Sequence, residues 1–571
     1  MKNLKIFYIV CLVVTGGWII SCSDETINSD RTGVEPVHIA YNDSARISQV
    51  VNDIYSHLPS GWGRLEGTSM VACATDEAVH AVPNSEAQLW GEGSWNPTTL
   101  RDNTMTVCYR GIRRSFLFEE ELYPMIPDIV VSPAGRRWFL SQVYFVRAYL
   151  NFELLKRFGG YPIVDHFLSL DEDLNIPRST YDECVEYIVG LCDDAARELP
   201  LTYAVTQFGR ATRGAALALK ARVLLYAASP LFNDPAKPNN SFENGAYSAA
   251  KWGRAAEAAA AVINLKNDDN TSMYSLYPDY SGFFNTLQTG NVPNPEIIIS
   301  RIEAANNALE QQNGPSGYTN GQGGACPTWE MVCAYEMIDG TPFDWNNPDH
   351  AAHPFTGREP RFETSILYNG AEWMHDRAIE TFEGGLDKLG ERATPTSFYL
   401  RKFLSITAQW NAPTGTAYHS FPLIRYAEIL LNYAEAMNEA NGPDNPGSYG
   451  ITARQAIEQI RTRAGFTGNI DLSATVPAND QAAMREAIRR ERRVELAFEE
   501  HRHMDVRRWK TAETVLNRSV SQLRIEKNGD NFTYTPMNVQ NRVFDASKMY
   551  LYPFPQSEVA RNSNLVQNSN W

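Results

Sequence analysis

Residues 137–162 read RWFLSQVYFVRAYLNFELLKRFGGYP. Phe139, Leu140, Val143, Tyr144, Val146, Ala148, Leu150, Phe152, Leu154 and Leu155 are too dense for one apolar stripe. That density predicts a helix buried over most of its surface. Gly159-Gly160 stops it, and Tyr161-Pro162 leads on extended. The same theme recurs outward. A second helix is expected from about 180 to 199, with Thr180 as N-cap, Glu183 at capping-box spacing and Pro200 after its end. A third covers about 212–228 and stops before Pro230. A fourth covers about 251–265, with six Ala between positions 255 and 261 that let neighbours approach closely.

The middle differs. From about 266 to 420, Gly, Pro, Asn and Thr are frequent and aromatics are scattered. A strand is expected at Glu296–Ser300. The stretch from Gly314 to Gly324 holds five Gly and reads as loop. Helices return with Leu423, Tyr426, Ala427, Leu430, Ala434 and Met437 at helical spacing, closed by Asn441-Gly442. Two more are expected at about 452–464 and 480–500. Helix pairs therefore bracket an irregular, aromatic middle, and pairs of this size suggest tetratricopeptide-like stacking.

At the N-terminus, Lys2 and Lys5 precede an almost wholly apolar run from Ile6 to Ile20. A basic start, an apolar stretch and small residues after it describe a secretory signal. The alternative is a retained anchor, but the run is short for a span, which needs about 20 residues. Ile19-Ile20-Ser21-Cys22 resembles a bacterial lipobox, which implies cleavage before Cys22 and acylation of its thiol. Ser23-Asp24-Glu25 is similar to the surface-export signal of Bacteroidetes lipoproteins. The expected organisation is a signal peptide over 1–21, a lipidated tether over 22–35 and one domain over 36–571.

The 571 residues are 43% hydrophobic and 21% charged, a globular profile. With 51 Lys and Arg against 67 Asp and Glu, the net charge is −16, which argues against a nucleic-acid partner. No second apolar run is long enough to concern a membrane, so a multi-span protein is excluded. Of eight Cys, Cys11 leaves with the signal and Cys22 carries lipid. Cys184 and Cys192 lie eight residues apart in a helical stretch, about 12 Å along its axis. A disulfide needs Cα atoms within about 7 Å. Cys326 and Cys333 pair only if the chain between them folds back. The expectation is six free, mostly buried thiols.

Several blocks in one order resemble the SusD/RagB family of Bacteroidetes surface lipoproteins. They are Arg147–Phe152 with Phe158–Pro162, Ala216–Leu225, Pro327–Gly340, Arg358–Phe362, Tyr399–Phe403 and Tyr552–Glu558. The sharpest is Ile488–Glu499, continuing to Arg502, Asp505, Arg507, Arg508 and Trp509. The family usually has Gly between Glu499 and Arg502, where this chain has Glu500-His501. The resemblance implies a mainly α fold, with tetratricopeptide-like helix pairs forming a right-handed superhelical scaffold and an irregular ligand-binding region. The scaffold maps to about 36–265 and 421–510, and the binding region to about 266–420 with contributions from 60–100. The resemblance also implies a binding protein rather than an enzyme, lipid-anchored in the outer membrane and facing outward. Such a protein captures oligosaccharide or polysaccharide, or in some branches peptide, and delivers it to a SusC-like TonB-dependent transporter, which the helical side should face.

For the site, aromatics lead, because a sugar's C–H face packs on a flat ring while its hydroxyls need polar partners. In the family, ligand-contacting aromatics follow an early Asp-Glu pair, matched here by Asp76-Glu77, and come from middle insertions. The candidates are Trp90, Trp95, Asn96, Tyr318 and Trp329, the last read as exposed. Trp62, Trp345, Trp373 and Trp410 are secondary. No catalytic residue, metal ligand or cofactor is expected: His501 and His503 fall on different helix faces, and no HExxH, GxSxG or P-loop occurs. A surface hydrolase, the remaining rival, would need two carboxylates that converge in space. The Glu/Arg run at 485–509 reads mainly as helix-face ion pairs, Glu486 with Arg490 and Arg492 with Glu495. A carboxylate site or an anion-binding patch is its functional alternative.

Overall fold

The computed structural model describes residues 43–65, 69–169, 171–237, 239–288, 294–408 and 416–571. The signal segment, Cys22, the tether and Trp410 lie outside the described residues.

The longer helices are α1 (Ser44–Tyr55), α2 (Met105–Phe116), α3 (Pro133–Phe158), α4 (Tyr181–Glu198), α5 (Arg213–Ala228) and α6 (Ala250–Ile263). After the middle come α7 (Tyr426–Asn441), α8 (Ala453–Ala464), α9 (Gln481–Glu495) and the short α10 (Arg502–Arg508). Ser132 caps α3 by accepting from the Gly135 N–H, and Pro133 opens it, where no intrahelical donor is lost. The expected capping box of α4 is present in both directions between Thr180 and Glu183. Gly159 ends α3 with φ 74°, and a Cβ there would stand 2.7 Å from the Phe242 carbonyl oxygen. Only glycine meets both demands. Along α3, Phe145, Val146, Ala148, Phe152, Leu154 and Leu155 are all fully buried.

Each helix covers the apolar face of the next: α2 on α3, α3 on α4, α4 on α5, α5 on α6. The stack then jumps the irregular middle, because α6 packs on α7, which packs on α8 and α9. The alanines of α6 make this close passage between α5 and α7, with Ala255, Ala256 and Ala259 at most 1% exposed. The fold is thus mainly α, a tetratricopeptide-like run of helix pairs with an irregular region between its two sequence halves. No described helix is long and apolar enough to cross a membrane. All six described cysteines are free, five of them buried.

Three local expectations are corrected. The first helix after the middle begins at Tyr426, not at Leu423. Ala417–Arg425 is a strand, β2, paired antiparallel with β1 (Ile297–Asn306). Pro422 has no N–H for a helix interior, and pairing with β1 buries the segment instead. The helix expected over 480–500 breaks at Glu495, since Phe498 (φ 62°) and Glu500 (φ 66°) turn left-handed before α10. In the Glu/Arg block neither expected pair, Glu486 with Arg490 or Arg492 with Glu495, forms among the described residues. Glu486 meets Arg489 at 2.9 Å and Arg490 meets Glu336 at 2.8 Å. Arg492 donates to Asp505 at 2.7 Å. Glu495 accepts from Arg361, Arg425 and Arg463, all buried. The inner face of α9 lies against other elements, so its charges find tertiary partners; helix-face pairing is the rule for solvated faces.

A hairpin that the sequence reading passed over joins β3 (Ser519–Asn528) to β4 (Asn531–Asn541) through Gly529 (φ 63°) and Asp530. Asn528-Gly529 between alternating stretches was its available signal.

Candidate functional site

The middle region folds around a cleft of about 320 Å³. Four pieces build it. The helix Tyr280–Thr286 and the turn after it bring Ser281, Phe284, Asn285 and Gln288. The helix Pro360–Ser365 brings Glu363 and Thr364. A two-stranded turn, Glu372–Trp373 against Arg377–Ala378, brings Trp373. The segment after the strand Tyr399–Leu400 brings Arg401 to Leu404 and Ile406.

The floor is aromatic. Phe284 and Phe403 meet edge to face at 5.3 Å, with Trp62 5.5 Å behind Phe403. Phe403 holds φ 74°, a conformation L residues rarely adopt. Beneath it, Lys402 is enclosed and donates to Glu499 at 2.7 Å and to the Ala497 carbonyl at 2.8 Å. Burial lowers its pKa to about 8. Its ammonium sits 4.5 Å from the Phe284 ring centre. The wall is polar. Gln288 donates to the carbonyls of Phe403 and Leu404, which ties the floor to the wall. Arg401 lies 5.9 Å from the Trp373 ring and forms no ion pair among the described residues. Partial burial lowers its pKa. Its guanidinium is therefore a free fork of donors beside a ring. Glu363 is the one carboxylate among the described residues lining the cleft.

The five sequence candidates do not converge here. Tyr318 comes nearest: half-buried, it donates from its hydroxyl to the Trp373 carbonyl at 3.3 Å and lies under Arg377 at 4.5 Å. Trp90 and Trp95 are core residues, 3% and 4% exposed. Trp90 packs on His503 at 4.2 Å, and Trp95 on Trp571 at 4.7 Å, with Tyr552 against both. Asn96 is exposed, but its carbonyl oxygen accepts from Thr98 and Thr99 in a local turn. Trp329, expected to be exposed, is 6% exposed, stacked on Phe398 and met edge-on by Phe343 and Trp345. These buried rings are corrected to packing residues, because rings enclosed this far present no open face to a sugar. Of the secondary set, Trp373 lines the cleft, and Trp62 and Trp345 pack behind other rings.

Sequence reasoning missed Asn285, Gln288 and Arg401. Arg401 stood within the block Tyr399–Phe403, but only its place in the fold shows that it forms no close ion pair among the described residues. Asp76 and Glu77 are buried, and Asp76 takes both Arg493 (2.9 Å) and Arg502 (2.8 Å). His503 shares a 2.9 Å hydrogen bond with the Tyr552 hydroxyl, and burial beside Arg507 and Arg157 holds it well below the usual imidazole range.

Comparison with known proteins gives a consistent picture. A family model described as "SusD family" matches residues 295–571, and one described as "Starch-binding associating with outer membrane" matches residues 35–225. The curated SusD-like protein P2 of Formosa agariphila is 24% identical, over 100% of this chain and 99% of its own length. A crystal structure of a SusD-like protein from Bacteroides fragilis superposes with a TM-score of 0.76 at 25% identity, covering 93% of this chain and 98% of that one. A SusD-like carbohydrate-binding protein from the same species gives 0.73 at 21% identity, covering 92% and 99%.

Proposed function

The chain belongs to the SusD/RagB family, and from that membership we propose that it captures an oligosaccharide or polysaccharide at the cell surface. In this reading Cys22 carries the lipid that holds it to the outer membrane, and the bound glycan passes to a SusC-like TonB-dependent transporter. The helical stack is the side proposed to face that transporter. The lipobox-like Ile19–Cys22 supports the anchor. Support for a glycan comes from the model described as starch-binding and from the neighbour described as carbohydrate-binding.

The observation that carries the reading is the make-up of the cleft. Enclosed rings underlie its floor, Arg401 stands on its wall in front of the buried Trp373, and amides and hydroxyls line the rest. A sugar needs apolar surface for its C–H face and polar partners for its hydroxyls; Ile406, 37% exposed, offers the first, and Arg401, Gln288 and Asn285 offer the second. Among the described residues Glu363 is the only carboxylate lining the cleft, whereas glycoside hydrolysis uses a pair about 5–9.5 Å apart. Tyr318 is kept as a flank of this site, while Trp373, 1% exposed, backs its wall rather than offering an open face.

Calorimetric titration of the purified protein against polysaccharide and peptide panels tests this. The expected result is binding of one glycan without release of shorter products. Arg401→Gln should weaken it about tenfold, the loss of one charge-assisted hydrogen bond, with little change in thermal stability. Binding of peptide alone would move the ligand to another class, and cleavage of any ligand would overturn the non-enzymatic reading.

A further inference from the structure

A second cleft, of about 280 Å³, lies where α9 meets the start of α10 and the segment 333–343. It shares no lining residue with the cleft above. Arg489, Arg490, Arg493 and Arg502 line it, together with Phe343 and Trp509.

These guanidiniums are under-compensated. Asp76 alone answers two of them, Arg493 at 2.9 Å and Arg502 at 2.8 Å, and also stands 4.0 Å from Arg518, outside the lining. Glu336 is divided between Arg490 at 2.8 Å and Arg461 at 2.7 Å. Arg489 has only Glu486, whose side chain is 71% exposed, so that pair is worth little in water. Glu77, next to Asp76, is pushed up to about 8 by burial and adds no charge at neutral pH. Four lining arginines thus face three carboxylates, one of them shared with Arg461, on a chain whose net charge is −16. The Nε atoms of Arg489 and Arg493 are buried and hydrogen-bond to no described protein atom. Arg489 also stands 5.1 Å from the Trp509 ring, which holds its plane at the cleft.

We propose that this cleft is a binding site for a tetrahedral oxyanion, sulfate or phosphate. An anion supplies the negative charge that the carboxylates leave unmet. Its several oxygens suit forked donors that converge from two helices. The oxyanion is either a free ion or an ester group on a polymer. The inference does not depend on the glycan reading, because the two clefts are separate.

Equilibrium dialysis of the purified protein against radiolabelled sulfate, at an ionic strength fixed with chloride, tests it. One saturable site is expected. Arg489→Gln/Arg490→Gln should weaken it at least about tenfold, while Arg401→Gln, in the other cleft, should leave it unchanged. Glu486→Gln removes a competing carboxylate at an exposed position and should tighten binding, which provides a readout should the double variant fail to fold. Dextran sulfate competing at lower sulfate equivalents than inorganic sulfate would assign the site to a polymer-borne ester, and equal competition to the free ion. Absence of saturable binding, or sulfate affinity unchanged in the folded double variant, would overturn the proposal.

Discussion

Glu500 holds φ 66°, at the place where the family usually has glycine. The strain is balanced by a hydrogen bond: its carboxyl group accepts from the Val71 N–H at 3.1 Å. Burial pushes its pKa up to about 8, and does the same to Glu77. Both groups therefore hold a proton in the folded chain that the unfolded chain releases near 4.5. Their contribution is complete below that value and is lost as pH rises through about 8. Glu428 has the opposite sign: the guanidinium of Arg222 draws it down to about 2 against burial, so its contribution is lost as pH falls from about 4.5 through 2. The melting temperature should fall in both directions from mildly acidic pH. Glu500→Gln, which mimics the protonated form, should flatten the decline between pH 5 and 8 in a calorimetric pH series. An unchanged slope would show that Glu500 is ionised when folded.

Helix ends and helix spacing carry the next level. Gly159→Ala sets a Cβ against the Phe242 carbonyl at φ 74° and should cost at least about 1–3 kcal/mol in denaturant unfolding. Gly253, inside α6, has open space where its Cβ would lie. Gly253→Ala should therefore stabilise by about 0.5–1 kcal/mol. Two turns of the same helix respond oppositely, for Ala256 and Ala259 lie buried in the close passage between α5 and α7. Ala256→Leu should overpack it and cost about 1–3 kcal/mol. Gains at both positions would mean that α6 is not tightly held.

Across the whole molecule, buried ion pairs join the irregular middle to the helical stack. Glu495 on α9 receives Arg361 from the middle, Arg425 from β2 and Arg463 from α8. Arg425 also reaches Glu296 and Glu499, and Lys402 under the candidate glycan cleft reaches Glu499. Removing one shared carboxylate leaves several enclosed cations unmet. Glu495→Ala should cost about 3–5 kcal/mol and split the unfolding endotherm if the middle comes loose first. Arg254→Ala, which breaks a solvated pair with Glu186, should cost less than about 1 kcal/mol. Equal losses would mean that the buried network adds nothing beyond surface pairing.

What the sequence determined by itself was local. Helix positions, the Thr180 capping box, the glycine stop at 159 and the loop-rich middle follow from spacing and backbone preference, which act over a few residues. The family blocks carried the architecture as well, because they record contacts already made elsewhere. Only the tertiary structure decided partners and faces. The join of α6 to α7 across some 160 intervening residues has no signature in either helix. Neither does the enclosure of Trp90, Trp95 and Trp329 by rings distant in sequence, such as Tyr552, Trp571 and Phe398. Whether a tryptophan is core or platform, and whether an arginine is paired or free, depends on what the rest of the chain brings to it.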